Sequence, residues 1–144
     1  MSETGLEIAV VDDEAAVRKA LARLLQASGF GVETFSSGET FLDSLQRHRM
    51  DCAVLDLHLP GLSGLEVQQQ LILNNISMPC IVITGKDEPG THERALAFGA
   101  AAYLCKPVDE HTLVEAITSA VSARKMQKAE KTAMIGNSFD RETK

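Results

Sequence analysis

Asp12 and Asp13 close one apolar run of this chain and Asp56 closes another. In parallel α/β folds such run ends gather along one edge of a sheet, so three carboxylates are expected to meet there. Three carboxylates repel one another unless a cation stands among them. Hard oxygen ligands on turn residues suit magnesium, which takes one or two protein carboxylates and fills its other positions with water and phosphate oxygens. A site of that kind is suited to phosphoryl chemistry.

The elements that must position these acids show as an alternation, repeated five times, of short apolar runs with longer amphipathic ones. The runs at 6–11 (LEIAVV), 30–35 (FGVETF), 52–57 (CAVLDL), 80–84 (CIVIT) and 101–105 (AAYLC) are rich in β-branched and aromatic residues and are predicted strands. Val17, Ala20, Leu21, Leu24 and Leu25 fall on one face at helical spacing, with Gly29 placed for a left-handed cap. Ser36 with Glu39, and Ser63 with Glu66, each spell a capping box, and Asp109 precedes the periodic set Leu113, Ile117, Ala120 and Val121. Helices are therefore predicted to begin near 37, 64 and 110, with another from about Pro89 to Phe98 closed by Gly99. Strands alternating with helices imply parallel pairing through right-handed crossovers, hence a doubly wound α/β fold. Beyond residue 124 the pattern loses its apolar period, so a last helix extended by a few turns and then fraying is predicted.

At 144 residues and 44% hydrophobic, with one Tyr and no Trp, the chain suffices for one domain with a core and is short for two. Its formal net charge of −6 argues against nucleic acid as a direct partner. The start, MSETGLEIAV, lacks a basic segment followed by an apolar leader, and no run is long enough to span a bilayer, so a cytoplasmic protein without a membrane partner is expected. Cys52, Cys80 and Cys105 are odd in number and lack metal or redox spacing, so buried free thiols are expected. His48, His58, His92 and His111 are scattered and form no ligand set, and Arg124, Lys125, Lys128 and Lys131 read as a solvated helix face.

IAVVDDE (8–14), VLDLHLPGLSG (54–64), IVITG (81–85) and YLCKPV (103–108) occur in an order and spacing that resembles the receiver domain of bacterial two-component response regulators. The likeness covers about residues 6–122, and four motifs in order make it far more specific than any one of them. It implies a flavodoxin-like five-stranded parallel sheet in the order 2-1-3-4-5, an order already described for this family. A receiver domain over 1–124, with 125–144 as helix extension and tail, is the domain division expected. The implied reaction moves a phosphoryl group from a partner histidine kinase, or a histidine phosphotransfer protein, onto an aspartate. Signalling to a downstream protein target follows through a switched surface, and a homodimer is compatible with it.

Carried over position by position, the resemblance makes Asp56 the phosphoacceptor. Asp12, Asp13 and Asp56 would hold Mg2+, with the backbone carbonyl of His58 as a further ligand. A carboxylate is a weak nucleophile and the incoming group is itself negative, so attack requires a cation to neutralise charge on the equatorial oxygens. Lys106 matches the lysine that pairs with the phosphoryl group, and the Lys106–Pro107 bond is a candidate for the cis form. Thr84 matches the hydroxyl that bonds a phosphoryl oxygen, Gly85 leaves room beside it, and Tyr103 matches the aromatic that moves with Thr84. Together Thr84 and Tyr103 would form the switch.

Val108 stands where a Phe often follows KP, His58 lies two residues after Asp56, and Lys86 lies two after Thr84. The last two flank the phosphoryl position and bear on how long the group persists. Two other classes share part of the pattern. A haloacid dehalogenase-type phosphohydrolase also uses an Asp at a strand end with magnesium, but wants a second Asp where this chain has His58. A receiver-like scaffold that is never phosphorylated would not need Asp13, Asp56, Thr84 and Lys106 together. The roughly twenty residues after the last helix are too few for a helix-turn-helix, so for a chain of this extent alone output by protein contact is expected.

Overall fold

Residues 3–142 are described by the computed structural model, with side-chain surroundings described through residue 129. The apolar runs form five parallel strands, β1 (Glu7–Val11), β2 (Gly31–Phe35), β3 (Cys52–Asp56), β4 (Cys80–Thr84) and β5 (Ala102–Cys105). They lie in the order β2-β1-β3-β4-β5. Between and after them run α1 (Ala15–Ala27), α2 (Gly38–Ser44), α3 (Gly64–Leu73), α4 (Thr91–Ala97) and α5 (Glu110–Glu142).

Alternate residues of each central strand serve opposite layers. Ile8, Val10, Val54 and Ile83 pack with Leu21 and Leu25 of α1 and with Leu113 and Ile117 of α5. Ala9, Val11, Ala53 and Leu55 face the other way, against Phe41 of α2 and Val67 and Leu71 of α3. Val82 joins Ala95 of α4 in a smaller cluster. A strand covered on both faces needs apolar residues throughout, which is why β3 and β4 are buried along their whole length. Each fully buried aliphatic side chain contributes about 1.5–3 kcal/mol, so these layers hold the sheet's carboxyl edge in place.

Local signals set most boundaries. Ser63 caps α3 with the complete reciprocal box to Glu66, and Asp109 caps α5 by accepting from the Thr112 N–H at 3.0 Å. Gly29 and Gly99 take φ values of +95° and +92°, the left-handed conformation that ends α1 and α4. Gln68, 2% exposed, ties α3 to α4 by donating its amide to the carbonyls of Ala95 and Phe98.

Several expectations need correction. The cap of α2 is Ser37, whose hydroxyl accepts from Thr40 N–H, and not Ser36. Helix α4 starts at Thr91 after Gly90 at φ +85°, which leaves Pro89 in the preceding loop. Cys52 and Cys80 are buried but Cys105 is exposed, because it ends an edge strand flanked only by β4. Helix α5 extends beyond residue 124, as expected, and runs through Glu142; Thr143 and Lys144 lie outside the described residues. No helix among the described residues is long and apolar enough to cross a membrane.

Candidate functional site at the carboxyl edge of the sheet

Strands β1 and β3 are hydrogen-bonded neighbours in register, with Val11 opposite Leu55, so the residues that follow them arrive side by side. Asp12, Asp13 and Asp56 each bring a carboxylate oxygen within 4.8 Å of the others. Asp12 is fully buried and Asp56 is 3% exposed, whereas Asp13 faces solvent.

Each buried carboxylate is held from two sides. Asp12 Oδ1 accepts from the Glu14 N–H at 2.9 Å, which orients the start of α1. Its Oδ2 accepts from Lys106 Nζ at 2.9 Å, and Arg18 donates to its backbone carbonyl at 2.7 Å. Asp56 Oδ1 accepts from the His58 N–H at 3.3 Å, and its Oδ2 lies 3.4 Å from the same Lys106 ammonium. Lys106 reaches this point because β5 places its end beside Thr84, whose carbonyl accepts from the Lys106 N–H at 2.8 Å. The following Lys106–Pro107 bond is cis, as the sequence suggested.

Electrostatics explain why the cluster is unsettled. Burial, then the neighbouring Asp12 charge, push the Asp56 carboxyl above the ordinary carboxylate range, and Lys106 only partly offsets them. Burial also pulls the Lys106 ammonium down, but its hydrogen bond to Asp12 and the charges of Asp56 and Asp12 outweigh that and leave it raised. In this cluster of three carboxylates the Lys106 ammonium pairs with Asp12 and Asp56, so negative charge remains in excess. A hard, all-oxygen donor set with surplus negative charge fits a divalent cation such as magnesium.

Thr84 is buried at the end of β4, and its hydroxyl is engaged in the next loop. It donates to the Lys86 carbonyl at 2.7 Å and accepts from the Lys86 N–H at 3.0 Å. The His58 ring meets the same carbonyl at 3.4 Å and lies 3.8 Å from Glu88, so two loops close over the site's rim. A Cβ added at Gly85 would meet only Lys106 Cδ, at 3.9 Å, so the space beside Thr84 is open.

Tyr103 is held by groups that the sequence alone does not single out. Its hydroxyl donates to Asp87 at 3.0 Å and meets the Thr91 hydroxyl at 2.9 Å, while His92 stacks on its ring at 4.7 Å. Gly64 was also missed as a site residue: a Cβ there would stand 2.5 Å from the Asp56 carbonyl oxygen. A glycine opening a helix directly after a capping Ser is the signal that could have found it, since glycine is a poor helix former and often marks a close approach.

Comparison with known proteins fits this geometry. Residues 8–118 match the response regulator receiver domain. The response regulator protein TodT of Pseudomonas putida is 35% identical over 90% of this chain and 57% of its own length. Transcriptional regulatory protein FixJ of Bradyrhizobium diazoefficiens is 35% identical over 79% of this chain and 56% of its own. The crystal structure of FixJ-N superposes with a TM-score of 0.76 at 36% identity, covering 81% of this chain and 94% of that one. The chain belongs to the response regulator receiver domain family, whose members accept phosphoryl groups in two-component signalling. It spans about half the length of the curated relatives it matches. Receiver domains of this family interact with histidine kinases and downstream effectors. The phosphohydrolase and scaffold readings find no support in these likenesses.

Proposed function

We propose that this chain is a cytoplasmic phospho-receiver in which Asp56 takes the phosphoryl group, with residues 1–124 forming the receiver. The observation that carries this is the placement of a nearly buried Asp56 carboxylate within 4.8 Å of the Asp12 and Asp13 acids and 3.4 Å from Lys106. Asp12, Asp13, Asp56 and the His58 carbonyl would hold Mg2+. When bound, that ion would neutralise charge on the transferring phosphoryl oxygens.

The chain's own residues have separable tasks. Asp56 attacks phosphorus as the carboxylate while the bond from phosphorus to the donor's imidazole nitrogen breaks and the imidazole leaves with the electron pair, and Lys106 shifts from pairing two carboxylates to pairing a phosphoryl oxygen. Thr84 leaves the Lys86 carbonyl and turns its hydroxyl to the same group. That releases one anchor of the β4–α4 loop, and Tyr103 then has reason to exchange Asp87 and Thr91 for the space Thr84 vacates. The donor is a partner histidine kinase or phosphotransfer protein, and the rearranged surface near β5 meets a downstream protein.

The experiment is incubation with magnesium and acetyl phosphate followed by intact-mass measurement. A single adduct of about 80 daltons, one phosphoryl group, is expected on the wild type and none on Asp56→Asn. An adduct that persists on the Asn form would refute the assignment. Continuous turnover of the donor without a labelled form would indicate a hydrolase, and no labelling at all a scaffold.

A further inference from the structure

The amino edge of the sheet, opposite the acidic site, carries two adjoining cavities that the phosphoryl chemistry does not use. The first, about 360 Å³, is floored by Leu71, Ile76, Met78, Phe98, Ala120 and Ala123. The second, about 420 Å³, is lined by His48, Arg49, Arg124 and Lys128, with Asp51 as its acid. Ile76, Ser77, Met78 and Arg124 belong to both and form their common wall.

Two features distinguish this edge from an ordinary solvated surface. The large apolar side chains most exposed among the described residues are Ile72 (55%), Leu73 (72%), Leu96 (47%) and Met126 (66%). Ile72 lines the first cavity, and the other three lie within two residues of a lining position. Apolar exposure concentrated at one place marks an interaction surface. Arg49 and Arg124 make no ion pair among the described residues, and one Asp51 oxygen is already taken by the Glu7 N–H at 2.8 Å. Uncompensated guanidinium groups are thus presented next to an apolar groove, in a chain of net charge −6.

We infer that this edge docks an acidic amphipathic segment of a partner protein, with apolar side chains in the first cavity and carboxylates on Arg49 and Arg124. Guanidinium groups match carboxylates in bidentate geometry, and amphipathic helices are read through apolar anchors at i, i+3, i+4 and i+7. Nucleic acid fits poorly, because the rest of the chain repels it and half of the groove is apolar.

The test uses a synthetic helical peptide of about 18 residues with Leu at those anchor positions and Glu between them. Two controls carry Ser for Leu, or Lys for Glu. Binding to the full chain is followed by amide NMR shifts and by fluorescence anisotropy. The parent peptide is expected to shift Ser77, Gly99, Ala101 and Arg124, and each control to bind about tenfold more weakly. The double variant Arg49→Glu, Arg124→Glu should lose about tenfold in affinity while labelling with acetyl phosphate stays unchanged, which separates this site from the acceptor. Shifts confined to the carboxyl edge, equal binding of the controls, or tighter binding of a 12-residue oligouridylate would overturn the proposal. So would self-association that the double variant abolishes, which would give the groove to a second copy.

Discussion

Removing the charge of Asp56 is expected to stabilise the metal-free protein. At an effective dielectric constant of about 20, Asp12 within 4.8 Å of Asp56 contributes about 3.5 kcal/mol of repulsion. Solvent-exposed Asp13 at a similar distance adds about 1 kcal/mol with water-like screening. Lys106 at 3.4 Å returns about 5 kcal/mol of attraction. Charge alone therefore nearly cancels, and the cost of burying a carboxylate that is 3% exposed decides the sign. That balance agrees with the upward displacement of the Asp56 carboxyl, caused first by burial and then by Asp12. Asn keeps the shape and the acceptor oxygen for the His58 N–H. A net gain of about 1–2 kcal/mol, or roughly 3–6 °C in melting temperature, is expected for Asp56→Asn at pH 7 without metal.

The pH dependence follows from linkage. A carboxyl whose folded value is raised binds more protons folded than unfolded, so its share of stability falls as pH rises above its usual 3.8 and levels off past the raised value. Wild type and Asn form should thus converge at acid pH and separate towards neutrality. Magnesium should reverse the ranking at about a hundred times its dissociation constant, where it adds about 2.7 kcal/mol to the form that binds it. Thermal unfolding of both proteins across pH, with and without magnesium, measures all three effects. An Asn form less stable than wild type in EDTA at pH 7, or a gap independent of pH, would refute the reasoning.

Asp13→Ala should lower magnesium affinity strongly, whereas Lys106→Ala removes a cation paired with Asp12 and Asp56 and should raise it while uncoupling phosphorylation from the surface change; calorimetric titration that gives equal losses would contradict that division of roles. Cys105 alone should react with a thiol reagent in the native protein, because burial holds Cys52 far above its ordinary range and Cys80 up at about 12, and absorbance titration should rise to three thiols per chain only on denaturation. The His58 ring lies at the rim against the Lys86 carbonyl, and the two residues follow Asp56 and Thr84 by two positions each, so His58→Ala with Lys86→Ala should admit the hydrolytic water and shorten the phosphorylated state several-fold, about 1 kcal/mol in barrier. Decay on a phosphate-binding gel after donor removal measures it, and an equal or longer half-life would return both residues to the solvated surface.

The acidic corner was legible because its residues sit at the ends of apolar runs, and a parallel sheet brings run ends together whatever the details of packing. Details that depend on packing were not. Only Ser36 has the capping-box spacing to Glu39, yet the cap is Ser37, which bonds Thr40 N–H, and α2 opens at Gly38, packed so closely on Val67 that a Cβ would meet it. Cys105 reads as the end of an apolar run, yet exposure follows from β5 being an edge strand, which no single run reveals. The partners of Tyr103 lie 11 to 16 residues before it with no periodic relation, and they meet only because β5 runs beside the start of α4. Arg124 and Lys128 looked like part of a solvated helix face because each is ordinary alone, while the side chain of Lys131, in the same expected face, lies outside the described surroundings. Their meaning changes when α5 crosses the amino ends of β3 and β4 and sets Arg124 and Lys128 beside His48 and Arg49, more than seventy residues away in sequence. Reaction chemistry needs particular residue types at strand ends and therefore leaves a trace in sequence. A docking edge assembled from the ends of several helices and strands leaves none until the chain is folded.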